Sequence, residues 1–149
     1  MSEQRIRDDL KTAMRKRDTA TATVLRGLLA AIKNKTIELK TDTLSEKDFI
    51  AVVKREAKQC GETLDFARKA GRDESVVEHE AQLAVLERYL PAQMDEAGLR
   101  AAIEEIAAGL GDAPAMGAIM KELSAKHGGA FDGKTASRLA AEIAGGKAR

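Results

Sequence analysis

The apolar positions of this 149-residue chain recur at three- and four-residue intervals almost from end to end, so nearly every segment reads as an amphipathic helix. Ile6, Leu10, Ala13 and Met14 mark a first helix, with Ser2 as its candidate N-cap and an end near Arg17. Asp18 and Thr19 can cap a second, whose Leu25, Leu28, Leu29, Ile32 and Leu39 form one stripe, broken after Lys40 by Thr41-Asp42-Thr43. Gly27 lowers helix propensity in the middle of that stretch and leaves room there for close packing of a neighbouring helix. The third helix has the clearest start: Ser45 as N-cap, Asp48 as the acidic member of a capping box, and Leu44 facing Phe49 as a hydrophobic staple. Phe49, Val53, Ala57, Cys60, Leu64 and Ala67 then share one face until Gly71 offers a left-handed stop. About 25 helical residues make an element of roughly 37 Å, which must protrude or be matched by a partner.

Ala70-Gly71-Arg72 is a tight turn, and Asp73 is the expected cap of the next helix, with Val76, Leu83, Leu86 and Leu90 on its apolar side. So short a connection forces the two helices antiparallel. Pro91 disfavours helical geometry at Leu90 and ends that run. Asp95 caps a new helix with Met94 and Leu99 as a second staple, and Leu99, Ile103 and Ile106 precede Gly109-Leu110-Gly111. Pro114 is expected to open a short helix bearing Met116, Ile119, Met120 and Leu123, closed by Gly128-Gly129. Asp132 caps a last helix with Ala136, Leu139 and Ile143, and Gly145 to Arg149 reads as a frayed tail. The prediction is all-α: an N-terminal helical domain with a long antiparallel hairpin over residues 1–93, then a small three-helix domain over 94–149.

Composition agrees, with 44% hydrophobic and 33% charged residues but only two prolines; three Phe, one Tyr and no Trp leave the core to aliphatic side chains. No apolar run approaches the roughly 18 residues of a membrane span, and Met1 to Ala20 lacks a signal-like apolar core. A cytoplasmic protein is expected, and a lone Cys60 fits a reducing compartment. The net charge of +1 gives no strong overall field, yet residues 1–40 hold ten Lys/Arg against five Asp/Glu.

Nucleophilic or metal chemistry would have to use Cys60, His79 and His127. Cys60 lies in phase with the apolar stripe, His79 lacks a second histidine four residues on, and His127 sits at a helix end where it complements the dipole. No phosphate loop, dinucleotide fingerprint or serine elbow is present, so neither catalytic residues, a metal nor a cofactor is expected. Four sets of cations remain. Arg7, Lys11 and Arg15 share a face, and Arg26, Lys33 and Lys40 repeat every seven residues; each row reads as a phosphate-tracking surface or as a solvated helix face. Arg68, Lys69 and Arg72 surround the hairpin tip, with Lys54 and Lys58 behind them. Lys121, Lys126, Lys134 and Arg138 lie in the small C-terminal unit.

In order and spacing, Ala13-Met14, Asp18, Leu25-Arg26, Ile32-Lys33-Asn34, Lys58-Gln59, Ala70-Gly71-Arg72, Glu80, Leu83, Leu86, Tyr89-Leu90-Pro91 with Gln93, Met116-Gly117 with Met120-Lys121, and Asp132-Gly133-Lys134 together resemble the GatB/YqeY family. That family includes stand-alone helical proteins and the tail of the B subunit of glutamine-dependent tRNA amidotransferase. The resemblance implies a tRNA-associated role, with RNA contacts expected at Lys121, Lys126, Lys134, Arg138, Arg68, Lys69 and Arg72. The expected partners are tRNA and amidotransferase or aminoacyl-tRNA synthetase machinery, without a membrane. It does not bring the amidotransferase active site, which belongs to other domains and subunits. Cys60-Gly61 stands where relatives usually continue with basic residues, so the middle of the long helix is less basic than the family pattern. The alternatives are a helical protein–protein adaptor that binds no RNA, and an accessory subunit of a carbon-nitrogen ligase with glutamine as amido-N-donor.

Overall fold

The computed structural model describes residues 3–111 and 113–147, without the side chains of 146 and 147. Among them lie seven helices, α1 (Glu3–Arg15), α2 (Thr19–Leu39), α3 (Glu46–Lys69), α4 (Asp73–Glu87), α5 (Glu96–Gly109), α6 (Met116–His127) and α7 (Gly133–Lys147), and no strand. Two compact units share the chain, Met1–Leu90 and Pro91–Arg149.

Short-range capping fixes most of the helix starts. Asp18 accepts from the Thr21 amide, Asp95 from the Gly98 amide and Asp132 from the Thr135 amide. At α3 the Asp48 amide donates to Ser45 Oγ, while the Ser45 hydroxyl donates to the Asp48 carboxylate. Asp48 therefore receives the cap hydroxyl, where a standard capping box would have it reach the cap amide. Two expected starts shift by a residue or two. Arg72 holds the N-cap position of α4 without a side-chain bond, leaving Asp73 inside the first turn, where its charge complements the dipole. Ala115 holds that of α6, with buried Pro114 just before it. The expected cap Ser2 lies outside the described residues, and α7 continues through Gly145 to Lys147, where a frayed tail was expected.

In the first unit α2 packs on α1, α3 and α4, and α3 lies along α4. Gly71 makes the reversal with φ +67°, a conformation that side chains with a Cβ rarely adopt. The 24 residues of α3 are matched by this neighbour for much of their length. The core gathers Ile6, Leu25, Leu28, Ile32, Phe49, Val52, Val53, Val85, Leu86 and Tyr89. Met14 and Leu39 belong to the expected stripes but are exposed: Met14 is turned about 80° from Ile6 in helical phase, and Leu39 is the last residue of α2. Gly27 also faces outward, and a Cβ there would meet nothing within 4 Å, so it permits no close packing.

Tyr89 is 2% exposed; its ring lies beneath the Arg5 guanidinium, 5.4 Å from the centroid, and its hydroxyl donates to Asp9. Just past the end of α4, it thereby fastens that end to α1. Burial, and then the bond to Asp9, push the hydroxyl's pKa above the usual tyrosine range.

In the second unit α5, α6 and α7 pack pairwise around Leu99, Ile103, Ile106, Ile119, Leu123, Phe131, Ala136, Leu139 and Ala140. Phe131, in the link before α7, adds an aromatic ring that helical periodicity did not mark. Gly128 is required by close approach, because a Cβ would come within 2.7 Å of the Ser124 carbonyl oxygen. Pro91 and Gln93 start this unit: the Gln93 amide donates to the Gly129 carbonyl, and the Met94 backbone N–H donates to that of Ala130.

Gly27→Ala is expected to stabilise the first unit by about 0.4–1 kcal/mol, read as a higher urea midpoint for α2, because the new methyl meets no neighbour. Tyr89→Phe is expected to destabilise the first unit by about 1 kcal/mol at neutral pH. Since the folded pKa is raised, the wild-type contribution is fully present below about pH 10 and fades as pH rises through the folded value. Urea melts at rising alkaline pH should show the two proteins converging, and tyrosinate absorbance should report the late ionisation of the single tyrosine directly.

Candidate nucleic-acid interface

The hairpin tip is built by the last turn of α3, Gly71 and the start of α4. Arg68 is not free there: it donates to Glu80 across the hairpin at 3.0 Å and lies 3.7 Å from Asp65 one turn back. Lys69 and Arg72 are exposed and make no ion pair among the described residues. The tip expected to carry three cations thus offers two. Asp65 is visible in the sequence as an i,i−3 partner, whereas Glu80 becomes a partner only when the hairpin closes.

In the second unit, Arg138 is held by Glu96 of α5 at 2.8 Å and by Glu142 at 3.1 Å, and Glu142 also receives Arg100 at 3.0 Å. These partners keep the Arg138 guanidinium charged to still higher pH, Glu96 first, and Arg100 followed by Arg138 holds the Glu142 carboxyl below its ordinary value. The network links α5 to α7 and consumes Arg138's charge. Lys121, Lys126 and Lys134 are exposed without an ion pair among the described residues. Lys121 and Lys126 are five residues apart on α6 and point about 140° away from each other, so they form no single row. Lys134 shares a face of α7 with Arg138 and stands in the first turn, where a cation opposes the dipole and an approaching anion relieves it.

The cationic rows of α1 and α2 separate likewise. Arg7 is claimed by Glu3, which leaves Lys11 and Arg15 exposed on α1. Arg26, Lys33 and Lys40 are all exposed, and none has an ion-pair partner among the described residues. A groove of about 270 Å³ nearby carries Arg5, Lys16 and Arg88 with Asp9 and Asp18. Both carboxylates are engaged: Asp9 by Tyr89, and Asp18 by the Thr21 hydroxyl and amide, which hold its carboxyl below the ordinary range ahead of the weaker pull of Arg88 and Lys16.

Cys60 and His79, which the sequence left unrelated, meet across the hairpin. The contact is not a catalytic pair: the thiol donates to the backbone carbonyl of His79 at 3.4 Å, and burial pushes the thiol's pKa up, against thiolate formation. The imidazole's Nδ1 donates to the Ser75 carbonyl at 2.8 Å, so that nitrogen already carries its proton and cannot take one from the nearby Ser75 hydroxyl. Among the described residues no three His, Cys, Asp or Glu side chains come together to hold a metal ion, and no helix is long and apolar enough to cross a membrane.

Comparison with known proteins places these features in a family. A stretch of 123 residues is 30% identical to Altered inheritance of mitochondria protein 41, mitochondrial, of Eremothecium gossypii; it covers 83% of this chain and 61% of that protein. The chain thus spans about three fifths of the length of that relative. A family model described as Yqey-like protein matches residues 3–143, from the start of α1 into the last turns of α7, and the chain belongs to that YqeY-like family.

Proposed function

We propose that this protein is a non-catalytic accessory factor that binds the phosphodiester backbone of tRNA. The observation that carries the reading is the set of exposed lysines in the second unit, Lys121, Lys126 and Lys134, which make no ion pair among the described residues while Arg138, on the α7 face that Lys134 shares, is paired with Glu96 and Glu142. Lys69 and Arg72 add two free cations at the hairpin tip. Such groups contact phosphates and fix the position of an RNA without reading its bases. The kinship of the YqeY family with the tail of the amidotransferase B subunit supports tRNA as the ligand. It also supports an arrangement in which a hairpin-bearing unit carries a tail-like one, docked to amidotransferase or synthetase machinery in a reducing compartment.

A second reading is favoured by a specific observation. Phe66 on α3 is 74% exposed and Val77 on α4 is 67% exposed, so the hairpin offers apolar side chains to a protein partner. On that reading the protein is an adaptor that binds no RNA. Amide transfer by this chain is disfavoured by the protonated, half-buried Cys60.

Titration with unmodified tRNA across a salt series tests the proposal. Log affinity is expected to fall linearly with log salt, and replacing Lys121, Lys126 and Lys134 by Gln should reduce the slope by about 2 to 3. Arg138→Gln should leave the slope nearly unchanged, because that charge is already matched by Glu96 and Glu142. Undetectable binding at low salt would transfer the assignment to the adaptor reading.

A further inference from the structure

The charge of this protein is unevenly spent. Residues 11–40 hold eight Lys/Arg against two Asp/Glu, a net of +6 within a chain whose total is +1, so the remaining residues sum to −5. Both carboxylates in that stretch are occupied: Asp18 caps α2, and Glu38 is paired with Lys35 at 3.0 Å.

On α2, Thr23, Arg26, Ala30, Lys33 and Ile37 are all exposed and fall in one stripe about 80° wide, and exposed Lys40 follows as the left-handed C-cap. The stripe contains two cations and no acid, and Lys40 adds a third at the helix end. None of the three makes an ion pair among the described residues, unlike Arg7, Arg68 and Arg138. Arg26 and Lys33 stand seven residues apart, about 10 Å along the helix, and Lys40 extends the row past its C-terminal end. The opposite side of α2, with Leu25, Leu28 and Ile32, is buried and holds the row on a rigid element.

We propose that this outward face of α2 is a second phosphate-contact surface, one that takes the backbone of a structured RNA. The proposal rests on the tRNA reading above and adds to it a surface in the other unit. A regularly spaced row fits a linear polyanion, since a nucleic-acid duplex carries about one charge per 1.7 Å of its axis and so presents a phosphate to each cation. A membrane surface fits less well, because the apolar side of α2 is already buried and Ile37, 65% exposed, is the row's one large apolar side chain.

The test compares three proteins: wild type, an α2 variant (Arg26→Gln, Lys33→Gln, Lys40→Asn), and the second-unit variant lacking the charges of Lys121, Lys126 and Lys134. Lys40 has φ +53°, so Asn, which tolerates that conformation, replaces it, and far-ultraviolet dichroism verifies that the helices persist. Each protein is titrated with unmodified tRNA at several salt concentrations and with vesicles containing phosphatidylserine. The α2 variant should bind tRNA roughly tenfold more weakly at moderate salt, with its log–log slope reduced by about 2 to 3. If that variant binds tRNA as wild type does while the second-unit variant is weakened, the α2 surface is refuted and the tRNA reading stands. If wild type binds no tRNA, both fall, and vesicle binding lost in the α2 variant would then assign the row to anionic lipid.

Discussion

A helix of 24 residues in a small protein must find apolar cover along one whole side, and the first unit is arranged around that need. The cover comes from α4 folding back at Gly71 and from α2, which alone among the first four helices packs on the other three. The burial of Val53, Val85 and Leu86 follows from this arrangement. So does the closing of Arg68 onto Glu80, and with it the reduction of the hairpin tip to two uncommitted cations. Tyr89 completes the arrangement by tying the end of α4 to α1 through Asp9 and Arg5.

Arginines and lysines divide the electrostatic labour. Arg7, Arg68, Arg100 and Arg138 all face carboxylates at hydrogen-bond range, and their planar guanidinium groups suit two-partner geometry such as Arg138 between Glu96 and Glu142. Exposed pairs of this kind contribute little to stability, typically below about 1 kcal/mol each. Their larger effect is on the surface, because they cancel cations that a count along the sequence treats as available. Among the described residues the cations outside ion pairs are most of the lysines together with Arg15, Arg17, Arg26, Arg55, Arg72 and Arg88.

The fold was legible wherever its cause lies within a few residues. Asp18, Ser45, Asp95 and Asp132 were readable as caps because a cap acts over three positions, and the 3.6-residue period marked Leu25, Leu28, Ile32, Leu99, Ile103 and Leu139 as buried. Tyr89 was not readable as buried, since its hydroxyl is satisfied by a residue 80 positions away. The candidate surfaces were half legible for the same reason. Lysines and arginines can be counted in a sequence, and the local partners Asp65 and Glu142 can be read there, but Glu80 and Glu96 stand 12 and 42 residues from Arg68 and Arg138 and meet them only after packing. Arg26, Lys33 and Lys40 keep their charge because no carboxylate of their own helix or of a packed neighbour pairs with them among the described residues.

Each of the two apolar clusters lies wholly within one unit: Leu99 to Ala140 form one, Ile6 to Tyr89 the other. Pro91 and Gln93 belong to the beginning of the second, so the chain passes between the units where neither core is breached. The second unit, Pro91–Arg149, has its own caps, its own core and its own ion-pair network. No buried side chain of the second unit's cluster belongs to the other, so a substitution in one core alters contacts of that core alone.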